Sequence, residues 1–438
     1  MTLPRVLVIG QPFNKNTGGG ITLSSLFYGW DKDKIAVVCS GYELRDAIDT
    51  HTCDTYYQLG SLEHKWIFPF NLFKRKYSSG LVNVVDNQST EDKGKRSKIR
   101  VGLIMNVFYP FLNYIGLFNR SSKIELSKKF CAWLDEFRPD IIYAQTTSRA
   151  DNLFCLSVQS YLKKPLIYHM MDDWPAIINE KGIFRKYWNR KMDQEFRVLL
   201  DKSAILMSIS EEMAQEYKDR YNKNFVTFHN TIDIDFWKKH QRTRYELNNN
   251  PTILYAGRIG LGIEKSLELI ARAIENVNRE LNISLKFILQ TKEIPLWKGN
   301  YECVEHSDFV AYNDLPEKFS SADFLLIPYD FSPKSRKYIK LSMPTKAPEY
   351  MISGTPIIVF APEEAAIVKN ATRYGWASVI TEQSLISICG AVKELIENIE
   401  LRRQIAESAK SIAEEKHNSL VIRDHFRKTI YSLIDHPQ

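Results

Sequence analysis

Residues 342–360, SMPTKAPEYMISGTPIIVF, decide how this chain folds. Pro344, Thr345 and Pro348 set a helix start near Thr345, because proline is tolerated in a first turn but not in a helix interior. Ser353 and Gly354 stop that helix, and Pro356 leads into an apolar run of strand length. A short helix leaving through glycine into an apolar strand is the joint of a parallel sheet covered on both faces. Lys346 and Glu349 fall in or near the first turn, three apart, on one side of the helix mouth.

The same alternation extends outward from this joint. Strand-like runs in the second half are PTILYAG (251–257), LKFILQ (285–290), DFLLIPY (323–329) and WASVI (376–380). Between the first two, Leu267, Ile270, Ile274, Val277 and Leu281 recur at helical spacing. The first half repeats the pattern with RVLVIG (5–10), KIAVVCS (34–40), DIIYAQ (140–145), PLIYHM (165–170), AILMSIS (204–210) and FVTFHN (225–230). Helical stretches SKKFCAWLDEF and KYWNRKMDQEFRVLLDKS lie between them. A chain of 438 residues is too long for one ordinary core. The expected fold is therefore α/β, with two Rossmann-like, doubly wound parallel-sheet domains facing a central cleft. Their expected limits are 1–235 and 236–412, with a closing helix over 413–438 that crosses back to the first domain. Leu420, Ile422, Phe426, Ile430 and Leu433 form that helix's apolar stripe.

Composition narrows the function classes. A hydrophobic share of 44% with 25% charged residues describes a folded chain, and a net charge of +7 suits anionic partners. The cationic residues are dispersed and no nucleic-acid module appears. Six scattered cysteines, with no CxxC pair or Cys/His cluster, argue against structural zinc and for a reducing compartment. The N-terminus enters a strand directly, without signal-peptide anatomy, so a cytoplasmic protein is expected. Residues 101–118 form an 18-residue stretch without a charge, behind the basic run KGKRSKIR. Asn106, Pro110 and Asn113 interrupt it. It is expected as a buried or half-buried helix, ahead of a segment lying in a membrane surface, and last as a span.

Ligands of such sheets bind in the loops that follow strands and open helices. Gly19 and Gly20 sit in the loop GQPFNKNTGGG after the first strand, where glycine lets backbone approach a bulky anion, or simply makes a flexible turn. The loop is neither GxGxxG nor GxxxxGK[ST], which argues against dehydrogenases and P-loop NTPases. In YAGRIGLGIEKS, Arg258 follows the strand and Lys265 opens the next helix. Two cations at one corner suit a diphosphate, although two solvated surface cations would look the same. Glu349 can accept the vicinal hydroxyls of a ribose. A capping box is the alternative, but its spacing from Thr345 is one residue too long.

Together YAGRIG…K, SADFLLIPY and SMPTKAPEYMISGTPIIV resemble the donor domain of the GT-B glycosyltransferases, and within them the large retaining group called family 4. RPDIIYAQ, KPLIYHMMDDWP, SISEEMAQEY and HNTIDIDFW are similar to that group's N-terminal half and interdomain seam. The resemblance spans most of residues 1–411 and is weakest over 42–125, where a basic and aromatic insertion lies at about 61–125. It implies a metal-independent, retaining transferase, of hexosyltransferase type, for a nucleotide-diphosphate sugar, with UDP or GDP as the nucleotide and no other cofactor. The implied acceptor is a glycan or a lipid-linked molecule, in bacterial surface polysaccharide synthesis. Membrane contact through residues 61–118, at the inner face of the cell membrane, is a further expectation. The resemblance assigns the diphosphate to Arg258 and Lys265, the ribose to Glu349, and the opposing phosphate contact to Gly19 and Gly20. Thr291 and Val310 would flank the base. Ser342 and Lys346 would support the phosphates from the SMPTK loop. His169 would face the transferred sugar or the acceptor, and Asp172 and Asp173 would lie on the acceptor side or cap a helix. The two-domain layout argues against reading that Asp pair as a metal motif.

One departure bears on activity. The family often carries a glutamate eight positions before the one matched by Glu349, and here that position is Leu341. A sugar-nucleotide epimerase of the same fold, and a degenerate transferase acting as a scaffold, are therefore the alternatives.

Overall fold

A computed structural model describes residues 3–15, 17–41, 43–45, 48–68, 71, 77–82, 102–177, 182–260 and 262–435. The chain divides into two compact units, Met1–Phe228 with Arg423–Gln438, and His229–Ile422.

In the first unit, β1 (Val6–Ile9), β2 (Ile35–Ser40), β3 (Thr55–Leu59), β5 (Gly80–Leu81), β7 (Ile141–Ala144), β8 (Leu166–Met170), β9 (Ile205–Ser208) and β10 (Val226–Thr227) form one sheet in the order β10-β9-β8-β7-β1-β2-β3-β5. Its pairs are parallel except β3 with β5 at the edge. A separate antiparallel pair joins β4 (His64–Trp66) to β6 (Ser122–Ile124). β1, β2, β7 and β8 are buried along their whole length. That is the burial which continuous apolar runs demand. Strand order reverses between β1 and β7. Gly10 stands there with φ +99°, and a Cβ on it would meet the Gln145 carbonyl oxygen at 2.4 Å.

The second unit holds β11 (Thr252–Ala256), β12 (Lys286–Gln290), β13 (Val304–Ser307), β14 (Phe324–Pro328), β15 (Ile357–Phe360) and β16 (Ser378–Ile380), ordered β13-β12-β11-β14-β15-β16 and parallel throughout. This is the 3-2-1-4-5-6 winding of a dinucleotide-type sheet, and its order reverses between β11 and β14. The helix Glu264–Leu281 lays Leu267, Ile270, Ile274 and Val277 on the sheet; Leu281, in its last turn, is only half-buried. Arg242 and Asp323 form a buried ion pair, 3.1 Å apart, at the entry to β14.

The last helix, Ser419–Asp435, packs Phe426 and Ile430 fully into the first unit, with the Phe426 ring 5.1 Å from Phe27. Leu420 departs from the expected apolar stripe and is exposed, because it falls on the outer side of the first turn.

The uncharged stretch also differs from expectation. Its described part is helical from 102 to 114, widening to a π-helix over Ile104–Phe108. Pro110 has no N–H to donate one turn back, which accounts for the widened turn. Leu112 is buried, but Leu103, Val107, Phe111 and Tyr114 are each more than half exposed. The basic run at 93–100 lies outside the described residues. No described helix is long and apolar enough to cross a membrane.

Candidate functional site

The predicted residues of the second unit converge where its strand order reverses. β11 ends at Ala256, Gly257 follows, and Arg258 begins an exposed loop. The Lys346 ammonium reaches back from the helix Lys346–Ser353 and donates to the Ala256 carbonyl at 2.7 Å. It also lies 4.3 Å above the Tyr255 ring, in cation–π geometry. A Cβ on Gly257 would meet the Lys346 Nζ at 2.4 Å and the Tyr255 hydroxyl at 2.9 Å, so a larger residue here would displace the ammonium from its present place. Tyr255 Oη donates to the Arg258 carbonyl at 2.7 Å, and the Ala256 N–H donates to the Tyr350 hydroxyl at 3.0 Å. The strand end, the arginine loop and the lysine helix are thus locked into one corner.

The helix Lys346–Ser353 begins after Thr345, whose side chain makes no capping hydrogen bond, and ends at Gly354 with φ +74°. Glu349 lies one turn in. Both Lys346 and Glu349 are half-buried overall, with their charged ends desolvated within the corner. Desolvation pushes Glu349 up to about 7, opposed by the nearby Lys346 charge. Desolvation likewise pushes Lys346 down to about 8, opposed by Glu349. Leu341, eight positions before Glu349, is buried and apolar.

Lys265 is exposed in the first turn of the helix Glu264–Leu281. Asp330, on the loop after β14, caps that helix: its carboxylate accepts from the Ser266 N–H at 2.9 Å. Its own N–H donates to the carbonyl of Gly262, which has φ +93°. Ser342 is half-buried, with its hydroxyl donating to the Tyr338 carbonyl. Val310 is half-buried in the loop after β13. Thr291 is fully buried and its hydroxyl donates to the Glu293 carbonyl at 2.7 Å, which turns its side chain into its own loop. Beside it, Gln290 is fully buried and neither amide atom has a hydrogen-bond partner among the described residues. An orphaned amide at a strand end is costly unless something occupies it.

The first unit gives a different answer. Thr17 caps the helix Gly18–Leu26, its hydroxyl accepting from the Gly20 N–H at 3.1 Å. Cβ atoms on Gly19 and Gly20 would meet Gln11 Oε1 at 2.8 Å and the Asn14 amide at 2.4 Å. Gly20 thus packs tightly against Asn14, and its N–H, expected to meet a phosphate, is here bonded to Thr17. Gly19 is half-buried. His169 is only 1% exposed, inside β8, with Nδ1 2.5 Å from the Tyr143 hydroxyl. Burial pushes it down to about 3, so the ring is neutral. It is walled in and does not face an open surface, because every residue of β8 is covered. Asp173 is buried and accepts from Tyr217 Oη at 2.9 Å and from both Arg220 terminal nitrogens at 2.8 and 3.0 Å. Its carboxylate is consumed by that fork and is not available to an acceptor. Asp172 is half-buried. Among the described residues no cluster of His, Cys, Asp and Glu could hold a metal.

Sequence reasoning missed Tyr255, Tyr350, Asp330 and Gln290. Their signal was local: Tyr255 and Gln290 close strands already singled out, Tyr350 follows Glu349, and Asp330 lies just past DFLLIPY.

A doubly wound sheet with cations and a carboxylate at its reversal point places charged side chains where such sheets bind their ligands. Residues 250–398 match the family described as glycosyl transferases group 1. No curated protein matches the sequence. Among solved structures, HepE of Anabaena in complex with UDP and glucose is 13% identical, covering 98% of this chain and 100% of that one, with a TM-score of 0.59. Sucrose-phosphate synthase from Thermosynechococcus elongatus is 10% identical over 98% and 99% of the two chains, with a TM-score of 0.61. A putative UDP-N-acetylglucosamine 2-epimerase from Listeria monocytogenes is 11% identical over 99% and 97%, with a TM-score of 0.53. At these identities the likeness establishes the GT-B fold.

Proposed function

We propose that this chain transfers a sugar from a nucleotide-diphosphate sugar to a hydroxyl of a glycan or lipid-linked acceptor, with retention at the anomeric carbon. The observation that carries this reading is the corner joining Arg258, Lys346 and Glu349 at the reversal point of the second sheet. Arg258 and Lys265 would hold the diphosphate, with Lys346 and the helix start beneath it. Glu349 would accept the ribose hydroxyls, and the base would lie against Gln290 and the Val310 loop. UDP is the preferred nucleotide, by analogy with HepE, which binds it. In the proposed step the bond between the sugar's C1 and the diphosphate oxygen breaks and a bond from the acceptor oxygen to C1 forms on the same face. The acceptor's proton passes to the departing diphosphate. The protein contributes position and charge, through its cations and not through a metal. Gly19 and Asp172 remain the first unit's candidates for phosphate and acceptor contact. Surface-polysaccharide synthesis on the cytoplasmic side rests on the family resemblance alone.

The test is incubation with UDP- and GDP-sugars and an oligosaccharide or lipid-linked acceptor pool, following nucleotide release and the anomeric configuration of the product by NMR. Release of the nucleoside diphosphate with a retained glycoside supports the reading. Conversion of the nucleotide sugar to its epimer, with no release, replaces it with the epimerase.

Donor binding should also follow pH in a narrow bell. Glu349 must be ionised to accept two hydroxyls, so binding falls below about 7. Lys346 must be protonated to meet phosphate, so binding falls above about 8. Titration of nucleotide affinity between pH 5.5 and 9.5, chosen to be roughly 1.5 units beyond each limb, checks this. Glu349→Gln should remove the acidic limb and leave the basic one.

A further inference from the structure

We infer that the first unit carries a docking surface for an anionic membrane, built from the helix at 102–114 and the start of the helix Arg185–Lys202. The two segments are neighbours: the Ile183 N–H donates to the Tyr114 carbonyl at 2.9 Å. A Cβ on Gly116 would meet Trp188 Nε1 at 2.6 Å and the Phe184 Cβ at 3.1 Å. On the first segment Leu103, Val107 and Phe111 recur every four residues, so they lie on one face. On the second, Ile183, Phe184 and Tyr187 lie by the Tyr114–Gly116 end of the first. All six are more than half exposed. The turn after β4 adds the exposed Phe68, and Trp66 at the end of β4 stacks on Tyr109 with ring centroids 5.6 Å apart. Scattered apolar residues on a surface mean little, but this many from adjoining segments form a patch that soluble chains normally cover.

Charge names the occupant. Arg185, Lys186, Arg190 and Lys191 occupy the first two turns of the second helix, with no acid before Asp193. Asp193 pairs with Arg197, and Glu195 with Arg149. Cations at a helix N-terminus oppose the helix dipole, and the N-cap residue Phe184 makes no side-chain hydrogen bond. Such an arrangement weakens the isolated helix and is repaid by an external anionic surface. Exposed Lys65 and Arg120 lie on the neighbouring β4 edge and in the short helix Phe118–Ser121. Aliphatic and aromatic side chains at the centre with lysine and arginine around them match an acyl boundary beneath phosphate headgroups. A protein partner would need a complementary acidic surface around an apolar centre, and is left as an outcome of the test.

The test uses the full chain in co-sedimentation with vesicles of phosphatidylcholine, with and without phosphatidylglycerol, and sedimentation velocity without vesicles. We expect binding to the anionic vesicles, weakened by salt. Binding should fall about tenfold in Phe111→Asp. It should fall about fivefold for each cation lost, and further in Lys186→Glu with Arg190→Glu. Because these side chains are exposed, both variants should keep the wild-type unfolding temperature. Equal binding to neutral vesicles, binding unchanged in both variants, or no vesicle binding at all overturns the inference. So does a dimer in sedimentation velocity that Phe111→Asp abolishes while vesicle binding is absent. None of these readouts depends on the donor reaction.

Discussion

Replacing Arg258 with alanine should lower kcat/KM for the sugar donor by about 10²–10³-fold, the loss typical of one preorganised donor to a developing oxyanion. Arg258 leaves the sheet at the reversal point, its carbonyl fixed by Tyr255 Oη at 2.7 Å, so its guanidinium starts from a positioned backbone. In the proposed reaction the leaving group is a diphosphate whose charge grows as the C1–O bond breaks. A guanidinium forks two oxygens of such a group, whereas an ammonium meets it as a point charge. Arg258→Lys should therefore recover about one order of magnitude of the loss. The side chain is exposed in the free protein, so thermal unfolding of both variants should match the wild type. Steady-state kinetics with donor varied at saturating acceptor, beside a thermal scan, gives both readings. An unchanged kcat/KM in Arg258→Ala would remove the arginine from the site.

Asp323→Ala should destabilise the second unit by about 3–5 kcal/mol, because it leaves a buried arginine without its counter-charge. The Asp323 carboxylate is fully buried and accepts from Arg242 at 3.1 Å, from the N–H and side-chain amide of Asn248 at 3.0 Å each, and from the Thr252 N–H at 2.9 Å. It ties the segment entering the unit to the starts of β11 and β14. Arg242 in turn donates its backbone N–H to Ser353 at 2.8 Å, at the exit of the Lys346 helix. For a unit of this size the loss corresponds to a fall in unfolding temperature of roughly 6–20 °C. Asp323→Asn retains most of the hydrogen-bond geometry and should lose less than the alanine variant. Calorimetric unfolding of the full chain decides it. A shift below about 1 kcal/mol would place the unit's stability elsewhere.

The strands of both sheets were legible because a strand covered on both faces must be apolar along its length. DFLLIPY and PIIVF could be nothing else between polar helices, and they became β14 and β15. β3, with TYYQL, and β13, with VEHS, were missed for the same reason. They lie toward the sheet edges, and β13 buries only Val304. The Lys346–Glu349 corner was legible from proline, glycine and spacing. The surroundings of His169, Asp173 and Gly20 were not legible, because residue type does not reveal burial. Tyr143 covers the histidine, Arg220 consumes the aspartate, and Thr17 takes up the glycine N–H. The uncharged segment looked like core, and its exposed face became visible only when the helix was placed beside Ile183 and Phe184.

The most direct measurement is calorimetric titration of UDP and GDP into the full chain at pH 7.5, which is about midway between the two titrations above, with Glu349→Gln and Lys346→Met as comparisons. Saturable binding of one nucleotide, weakened about tenfold or more in each variant whose fold is intact, is the expected result. No binding of either nucleotide, or binding that both variants retain, would contradict a donor site at this corner.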